Sequence, residues 1–254
     1  MCGPRPQPLG MSLRKWLALS LALNVLGLAC GAYAVKRMGG WRYMAHRLHT
    51  IHAWPGITQR QSQLELLPID YGTTVLLGDS HLAHGEWHDW LPDERLLNRG
   101  VSAMAVKHVR AFAKKLPLHR ASAVVVQAGT NDLLFVDAGA ALAGYEAFVD
   151  ELIADASGAA LVLCTVPGVN NEVRWTGIDP AEVVRYNDGV RDLAAKRGLG
   201  LCDLARTLGS VDGVLPAYLT DDGVHLRGEG YQIWASTLRE ALPGGTTLAA
   251  APQL

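Results

Sequence analysis

Short apolar runs recur along this chain from about residue 72 onward, and they constrain its fold more than any other feature. Each run is rich in Val, Leu and Ala, has the length of a strand, and is followed by Gly, Asp, Asn or Pro. Unbroken apolar runs of this kind are typical of strands in a parallel sheet that is covered on both faces. We predict five strands, at residues 73–77, 95–98, 123–128, 159–165 and 199–202.

Between these runs the apolar residues recur at helical spacing. In the stretch 180–197 they are Val183, Tyr186, Val190 and Leu193, and Pro180 is well placed to open the helix. Strands that alternate with helices favour a parallel sheet with helices on both faces. With 254 residues, of which 49% are hydrophobic, the chain can bury a full core in one domain. The predicted helices lie at residues 103–115, 139–156, 180–197 and 228–241.

Two short strings carry the residues of a serine nucleophile system. Gly78-Asp79-Ser80 follows the first predicted strand, and Asp222-Gly223-Val224-His225 precedes the last predicted helix. A serine hydroxyl needs a base that takes its proton, and the base needs a carboxylate that fixes its tautomer. Because ligands bind at the carboxyl ends of parallel strands, Ser80 stands where a nucleophile is expected. We therefore predict Ser80, His225 and Asp222 as nucleophile, base and carboxylate.

Candidate donors to an oxyanion follow the second and third predicted strands. Acyl transfer builds negative charge on the former carbonyl oxygen, and fixed donors must stabilise it. The backbone N–H of Gly100, the side-chain amide of Asn131 and the backbone N–H of Ser80 suit this role. Asp79 and Asp132 are interpreted as structural residues that hold their loops through side-chain to backbone hydrogen bonds.

Asp221 is an alternative to Asp222 as the carboxylate partner of His225. Asp222 is preferred because its three-residue spacing puts both side chains on one local turn. Taken singly, each string also has an ordinary reading, since Gly-Asp-Ser is a common turn and Asn-Asp a common helix cap.

Together, these strings resemble the SGNH/GDSL hydrolase family over roughly residues 72–240. The four family blocks occur in order as Gly78-Asp79-Ser80, Gly100, Gly129-Thr130-Asn131-Asp132 and Asp222-Gly223-Val224-His225. Finer details resemble the branch of platelet-activating-factor acetylhydrolase and carbohydrate O-acetylesterases, namely Gly85-Glu86-Trp87, Asn98-Arg99-Gly100 and Tyr186-Asn187. Two positions depart from the pattern: His81 stands where the family name has Leu, and Val101-Ser102-Ala103-Met104 replaces a Gly/Asp-rich stretch.

The resemblance implies an α/β fold, a flavodoxin-like three-layer α/β/α sandwich with a five-stranded parallel sheet. It also implies a serine esterase for short-acyl, mainly acetyl, esters that needs no metal and no organic cofactor. A lysophospholipase or thioesterase is the enzymatic alternative. An acyltransferase, or a glycan-binding module without hydrolytic activity, is the alternative from another class. The absence of Gly-x-Ser-x-Gly argues against the nucleophile turn of the α/β-hydrolases.

Composition narrows the partners. The formal net charge is −1, so nothing indicates a nucleic acid partner. The family resemblance implies a small-molecule, glycan or lipid ester as the partner. The four cysteines show no metal or disulfide spacing, and Cys164 and Cys202 are expected to be buried thiols. Histidines 46, 49 and 52 recur every third residue, but a metal site is disfavoured because no Cys or carboxylate lies nearby.

Residues 16–35 form an uncharged apolar run flanked by Arg14 and Lys15 on one side and by Lys36 and Arg37 on the other. Twenty such residues suffice to span a bilayer as a helix. An uncleaved anchor is favoured over a secretory signal cleaved after Ala32-Tyr33-Ala34. A lipoprotein signal at Cys30 and a buried core helix are weaker alternatives. The protein is thus expected to be membrane-anchored or exported, in the bacterial periplasm or cell envelope.

The chain is expected to divide into an unstructured N-terminus (1–15), the apolar segment (16–35), a juxtamembrane linker or helix (36–70), the hydrolase domain (71–245) and a tail (246–254). Trp41, Tyr43 and Trp54 suit either headgroup-level aromatics or a lid. Residues 167–179 form a long loop after a strand, and such loops often bind substrate. In it, Asn170, Arg174 and Trp175 are candidate substrate contacts, whereas Trp87 and Trp90 are expected to pack in the core.

Overall fold

The structure is a computed structural model that describes residues 12–37 and 55–244. The predictions for residues 1–10, for Trp41, Tyr43, Trp54 and histidines 46, 49 and 52, and for the tail 246–254 lie outside the described residues. The chain divides into two compact units, Met1–Trp54 and Pro55–Leu254.

In the first unit, helix α1 covers Leu13–Arg37. Its portion Leu13–Ala34 is 22 residues long and apolar, and its side chains are exposed. By length and composition this helix can cross a membrane, and a signal sequence near an N-terminus has the same properties. The predicted apolar N-terminal helix is therefore present, with its start three residues earlier than the predicted 16–35.

The second unit is built on one parallel sheet. Its strands are β1 (Thr74–Gly78), β2 (Leu96–Gly100), β3 (Ala123–Gln127), β4 (Ala160–Cys164) and β5 (Gly200–Cys202). The strand order is β2-β1-β3-β4-β5, and all four neighbouring pairs are parallel. This is the flavodoxin-like order, so the predicted fold is confirmed, with strand ends that differ from the predicted ones by at most two residues.

The helices of this unit are α2 (Pro55–Leu66), α3 (Ser80–Ala83), α4 (Trp87–Trp90), α5 (Val106–Ala113), α6 (Ala138–Asp155), α7 (Pro180–Arg197), α8 (Leu204–Thr207) and α9 (Gly228–Ala241). Two short 3-10 turns lie at Leu118–Arg120 and Ala217–Leu219. The predicted bounds of α7 and α9 are met, and those of α6 are one residue out. Helix α5 is shorter than the predicted 103–115 because Ala105, at its N-cap, has an extended backbone.

Side chains alternate between the two faces of the sheet, and each face has its own core. In β3, Val124 and Val126 join the core formed with α2, α5, α6 and α7. Val125 of the same strand joins the core formed with α4, α8 and α9. Burial on both faces explains why the strands read as unbroken apolar runs. The two layers of helices complete the three-layer sandwich.

Helix α2 differs from the sequence-based expectation, which placed residues 36–70 in a juxtamembrane linker or helix. Its Ile57 and Leu64 are buried in the core against the sheet. The Arg60 Nε also donates to the Gly100 carbonyl oxygen at 2.6 Å. Because α2 shares the core of the sheet, we propose that the hydrolase domain begins at Pro55 and not at residue 71.

The buried tryptophan and cysteine side chains also agree with expectation. Trp87 is buried, its indole N–H donates to the Leu82 carbonyl, and its ring packs edge-on against Trp234. The predicted packing role of Trp87 is confirmed, and Trp90 packs against the same core. Cys164 and Cys202 are buried free thiols, also as predicted.

Candidate active site

The carboxyl ends of three neighbouring strands place the predicted site residues on one edge of the sheet. Gly78, at the end of β1, is in register with Gly100 of β2 and with Gln127 of β3. Ser80 and Asn131 follow these strand ends within a few residues. The parallel register therefore brings segments that are far apart in the sequence to a common edge.

Ser80 is the first residue of the short helix α3. The turn before it is fixed by Asp79, whose carboxylate accepts the His81 backbone N–H at 3.0 Å. This side-chain to backbone bond is the structural role predicted for Asp79. Ser80 is only 7% exposed, so neighbouring residues cover most of it.

His225 connects Ser80 to Asp222 through two hydrogen bonds. The His225 Nε2 lies 2.9 Å from the Ser80 Oγ, and the His225 Nδ1 lies 2.7 Å from the Asp222 Oδ2. A proton on Nδ1 that is donated to the carboxylate leaves the Nε2 lone pair free to accept from the serine hydroxyl. The three residues proposed from sequence spacing thus form one continuous hydrogen-bonded series.

The Asp222 carboxylate is held by the backbone of its own turn. Its Oδ1 accepts the N–H groups of Val224 and His225, at 2.9 and 2.8 Å. Burial by itself would raise the pKa of Asp222, but the hydrogen bonds from His225 and Val224 together hold this pKa well below its ordinary value. Asp222 is therefore ionised over the whole physiological range. Asp221, the alternative carboxylate, is instead paired with Arg227 at 3.3 Å.

The predicted oxyanion donors differ in whether their N–H groups are already hydrogen-bonded within the protein. The Asn131 amide donates one hydrogen to the Met104 carbonyl at 3.1 Å, and its second hydrogen is not used by that bond. The Ser80 N–H opens α3, a position without a partner inside the helix. The Gly100 N–H, however, donates to the Asn98 Oδ1 at 2.9 Å.

Gly100 also has a packing reason to be glycine. A Cβ at this position would lie 2.5 Å from the Ala83 backbone nitrogen, so any larger residue would push α3 away from β2. The glycine is therefore explained by close packing alone, and this explanation is independent of an oxyanion role.

Asp132 holds the start of α5, since its Oδ2 accepts the Val106 N–H at 2.9 Å. The predicted loop-holding role is confirmed. Burial raises the pKa of Asp132 to about 6, and the Val106 N–H offsets part of this rise. The carboxyl thus changes its charge within reach of physiological pH, one residue away from Asn131.

The three candidates in the loop 167–179 separate into two groups. Asn170 is buried, its Nδ2 donates to the Leu215 carbonyl, and its Oδ1 accepts the N–H groups of Glu172 and Val173. Because both the nitrogen and the oxygen of its amide already bond to the backbone, we assign Asn170 an anchoring role in place of substrate contact. Arg174 and Trp175 are exposed, and Trp175 is 77% exposed.

Two histidines that were given no role from the sequence flank His225. The ring centroids of His81 and His84 lie 5.4 and 5.2 Å from that of His225. Burial is the main cause that lowers the pKa of His84, and the proximity of His225 and His81 lowers this pKa further. The sequence contained a hint of this arrangement, because His81 occupies the family's Leu position and His84 follows it at a spacing of three residues, which is close to one helical turn.

A parallel three-layer sandwich with this Ser-His-Asp contact series at the carboxyl edge of its strands has the architecture of an ester hydrolase. The chain belongs to the GDSL-like lipase/acylhydrolase family, whose family model matches residues 73–233. The family predicted from the four sequence blocks is thus confirmed, and the protein is an ester hydrolase.

Solved structures share this fold. A Streptococcus pneumonia protein provisionally described as a platelet activating factor is 18% identical, with a TM-score of 0.68 over 78% of this chain and 98% of that one. A GDSL-like lipase from Bacteroides thetaiotaomicron VPI-5482 is 18% identical, with a TM-score of 0.62 over 73% and 96%. An acetyl xylan esterase is also 18% identical, with a TM-score of 0.57 over 67% and 100%. The search of curated proteins gave no match.

Proposed function

We propose that Ser80, His225 and Asp222 hydrolyse a carboxylic ester through an acyl-enzyme. The observation that carries this proposal is the series of two hydrogen bonds, of 2.7 and 2.9 Å, that joins the three side chains. Ser80 Oγ attacks the acyl carbon and gives its proton to His225 Nε2, while Asp222 stabilises the imidazolium. Collapse of the tetrahedral intermediate transfers that proton to the leaving alcohol. Water then attacks the acyl group by the same route and frees Ser80.

The oxyanion would be held by the Ser80 N–H, the Gly100 N–H and the Asn131 amide. The unused hydrogen of Asn131 and the position of Ser80 at the start of α3 support two of these donors. Gly100 must share or exchange its bond to Asn98 before it can contribute. We therefore expect Asn131 to carry more of the oxyanion stabilisation than Gly100.

For the substrate, we propose a short-acyl ester, with acetyl as the preferred acyl group. Support comes from the resemblance to the O-acetylesterase branch and from the fold shared with an acetyl xylan esterase. The residues that mark the branch, however, serve the fold: the Trp87 indole bonds Leu82, the Tyr186 hydroxyl bonds Ala128, and Asn187 bonds one residue of the backbone. These residues therefore indicate the architecture of the branch, and they do not indicate which acyl group the enzyme prefers.

One observation favours a second candidate, a lipid ester such as a lysophospholipid. Apolar side chains that are 38 to 77% exposed cluster on the loops after β3 and β4, and we call them the apolar rim: Leu134, Phe135, Val136, Val173 and Trp175. A Cβ at Gly177 would lie 3.5 Å from Leu134, and one at Gly223 would lie 2.9 Å from the Arg174 carbonyl. The segment of Val173 and Trp175 therefore lies close both to Leu134 and to the loop of Asp222, and in this second candidate the rim would bind a long acyl chain.

For the cellular location, we propose that α1 anchors the protein to the bacterial cell envelope or directs its export. The apolar length of Leu13–Ala34 supports either route. An enzyme at that site would meet envelope glycans and lipids, and both classes carry esters that suit the proposed chemistry.

The test uses the full-length chain in detergent with p-nitrophenyl acetate, butyrate and octanoate. Ser80→Ala should lower kcat by about 10⁴- to 10⁶-fold. Ser236→Ala is the matched control, because the hydroxyl of this exposed serine on α9 donates to the Gln232 carbonyl of its own helix. Full activity of a folded Ser80→Ala protein would refute the nucleophile assignment.

The acyl-length profile separates the two substrate classes. If the rim binds acyl chains, Trp175→Ala should lower kcat/KM for octanoate by about tenfold and that for acetate by less than about twofold, as expected for a lost apolar contact of 1–2 kcal/mol. Tyr71→Ala is the control, since Tyr71 is similarly exposed but precedes β1, at the opposite edge of the sheet. An equal loss on both esters would favour the short-acyl candidate.

A further inference from the structure

We propose that His81 is a positioning residue that fastens the nucleophile turn to the loop of Asp222 and His225. This inference rests on the proposed function, since it concerns how the same three side chains are kept in register. His81 stands at the position where the family name has Leu, and leucine has no polar atom with which it could make such a connection.

The His81 ring spans the gap between two segments that are far apart in the sequence. Its Nδ1 lies 3.2 Å from the Asp79 Oδ1, and its Nε2 lies 3.0 Å from the Val224 carbonyl oxygen. Val224 is the residue between Gly223 and His225, so the second contact holds the loop next to the base itself. The ring is 1% exposed, and water therefore cannot replace either contact.

The nature of the partners fixes the protons of this ring. A backbone carbonyl oxygen can only accept, so the Nε2 must carry a hydrogen. The other contact, to Asp79, needs one more hydrogen between Nδ1 and the carboxylate. Asp79 Oδ2 has no hydrogen-bond partner among the described residues, and Asp79 is fully buried. The Asp79–His81 pair therefore holds two protons, and together its members are neutral in a site where an uncompensated charge would be costly.

Other groups surround the pair from each neighbouring element. The Tyr231 hydroxyl of α9 donates to the His81 carbonyl oxygen at 2.8 Å. His225 and Asp222 face the ring from the catalytic loop, and His84 caps the C-terminal end of the helix that carries His81. Although burial works against the charged ring, Asp79, the Val224 carbonyl and Asp222 together raise the pKa of His81.

Two consequences follow for the reaction. Loss of the Nε2 hydrogen bond lets the Val224 segment move relative to Ser80, and a misplacement of about 1 Å in a reacting group costs on the order of 100-fold in rate. In addition, when the pair loses one proton in alkaline solution, one of its two contacts is lost. The kcat of the wild-type protein should therefore decline at alkaline pH.

The experiment compares His81→Leu, His81→Gln and wild type as full-length proteins with p-nitrophenyl acetate, between about pH 6 and 10. Leucine removes both contacts, and we expect kcat to fall about 10- to 100-fold while KM changes less than about threefold. Glutamine keeps a donor near the Nε2 position without a titrating group, so it should restore most of kcat and abolish the alkaline decline. His119→Leu, an exposed histidine after α5, controls for loss of an imidazole.

The outcomes separate this inference from the proposed function. If Ser80→Ala is inactive but His81→Leu keeps kcat within about twofold of wild type, only the positioning role is refuted. If Ser80→Ala is active, the proposed function itself fails. Should His81→Leu not fold, as judged by its circular dichroism, the glutamine variant decides: an alkaline decline equal to that of wild type overturns the inference, and its absence supports the inference.

Discussion

Replacement of Asp222 by Asn tests the proposed mechanism with the smallest change in shape. The asparagine side chain can lie in two orientations. In the first, its oxygen keeps the two backbone N–H groups that Asp222 Oδ1 accepts, and its NH₂ group faces His225 Nδ1. In the second, the oxygen faces His225, and the NH₂ group faces two donors that are left without an acceptor.

The energies of the two orientations decide between them. Each unpaired backbone N–H costs about 1–3 kcal/mol, so the second orientation is disfavoured by about 2–6 kcal/mol. In the favoured orientation the amide donates to Nδ1, which moves the imidazole hydrogen to Nε2, where it faces the Ser80 hydroxyl. His225 then has no lone pair with which to accept the serine proton. We expect kcat to fall about 10⁴-fold, which corresponds to about 5.5 kcal/mol in the activation barrier.

The assay is hydrolysis of p-nitrophenyl acetate by the full-length protein, with kcat and KM determined separately. Asp221→Asn is the matched control, because it changes the neighbouring carboxylate, which pairs with Arg227 and not with His225. The control should keep kcat within about twofold of wild type. The reasoning fails if a folded Asp222→Asn protein stays within tenfold of wild type, or if Asp221→Asn loses as much activity.

The other predictions concern stability and are checked by chemical or thermal unfolding. Asn187 makes two hydrogen bonds to the backbone of Val166, so Asn187→Leu should lower the free energy of unfolding by about 2–5 kcal/mol. Gly129 has a φ of +126°, and a Cβ there would lie 2.4 Å from the Tyr186 ring, so Gly129→Ala should cost about 3 kcal/mol or more. The folded-state pKa of Asp132, about 6, exceeds its ordinary value, so its ionisation opposes folding as the pH rises through 6. Asp132→Asn should therefore raise the melting temperature more at about pH 7.5 than at about pH 4.5, and equal shifts at both would contradict the assigned pKa.

The layered fold was readable from the chain because burial on both faces leaves a strong pattern. The unbroken apolar runs of β1, β3 and β4 indicate strands that are buried on both faces. The spacing of apolar residues in α7 and α9 indicates helices and is incompatible with a strand. Strand ends were less accurate, since the sequence does not reveal where a ladder of hydrogen bonds stops. Helix α2 received no bounds of its own within the predicted linker or helix 36–70, because a short segment of this kind gains its helical form mainly from the core that it covers.

For the site, local spacing was sufficient where a single turn contains both partners. Asp222 and His225 lie three residues apart, so their contact could be predicted without a fold. The states of Gly100 and Asn170 could not be predicted in this way. Asn170 bonds to Leu215, 45 residues away, which only the fold brings next to it. The Gly100 N–H donates to Asn98, only two residues away, but the sequence does not specify which way the Asn98 side chain turns.

The layered parallel fold, the family and the chemical types in the site could all be read from the amino-acid sequence, because apolar periodicity and short motifs are local properties of a chain. Which groups meet depends on the folded core. The contact between His81 and Val224 joins residues 143 positions apart, and it exists because the parallel strands and α9 bring the two turns together. A hydrogen bond depends on distance and direction in space, and the order of residues along the chain specifies neither until the core has formed.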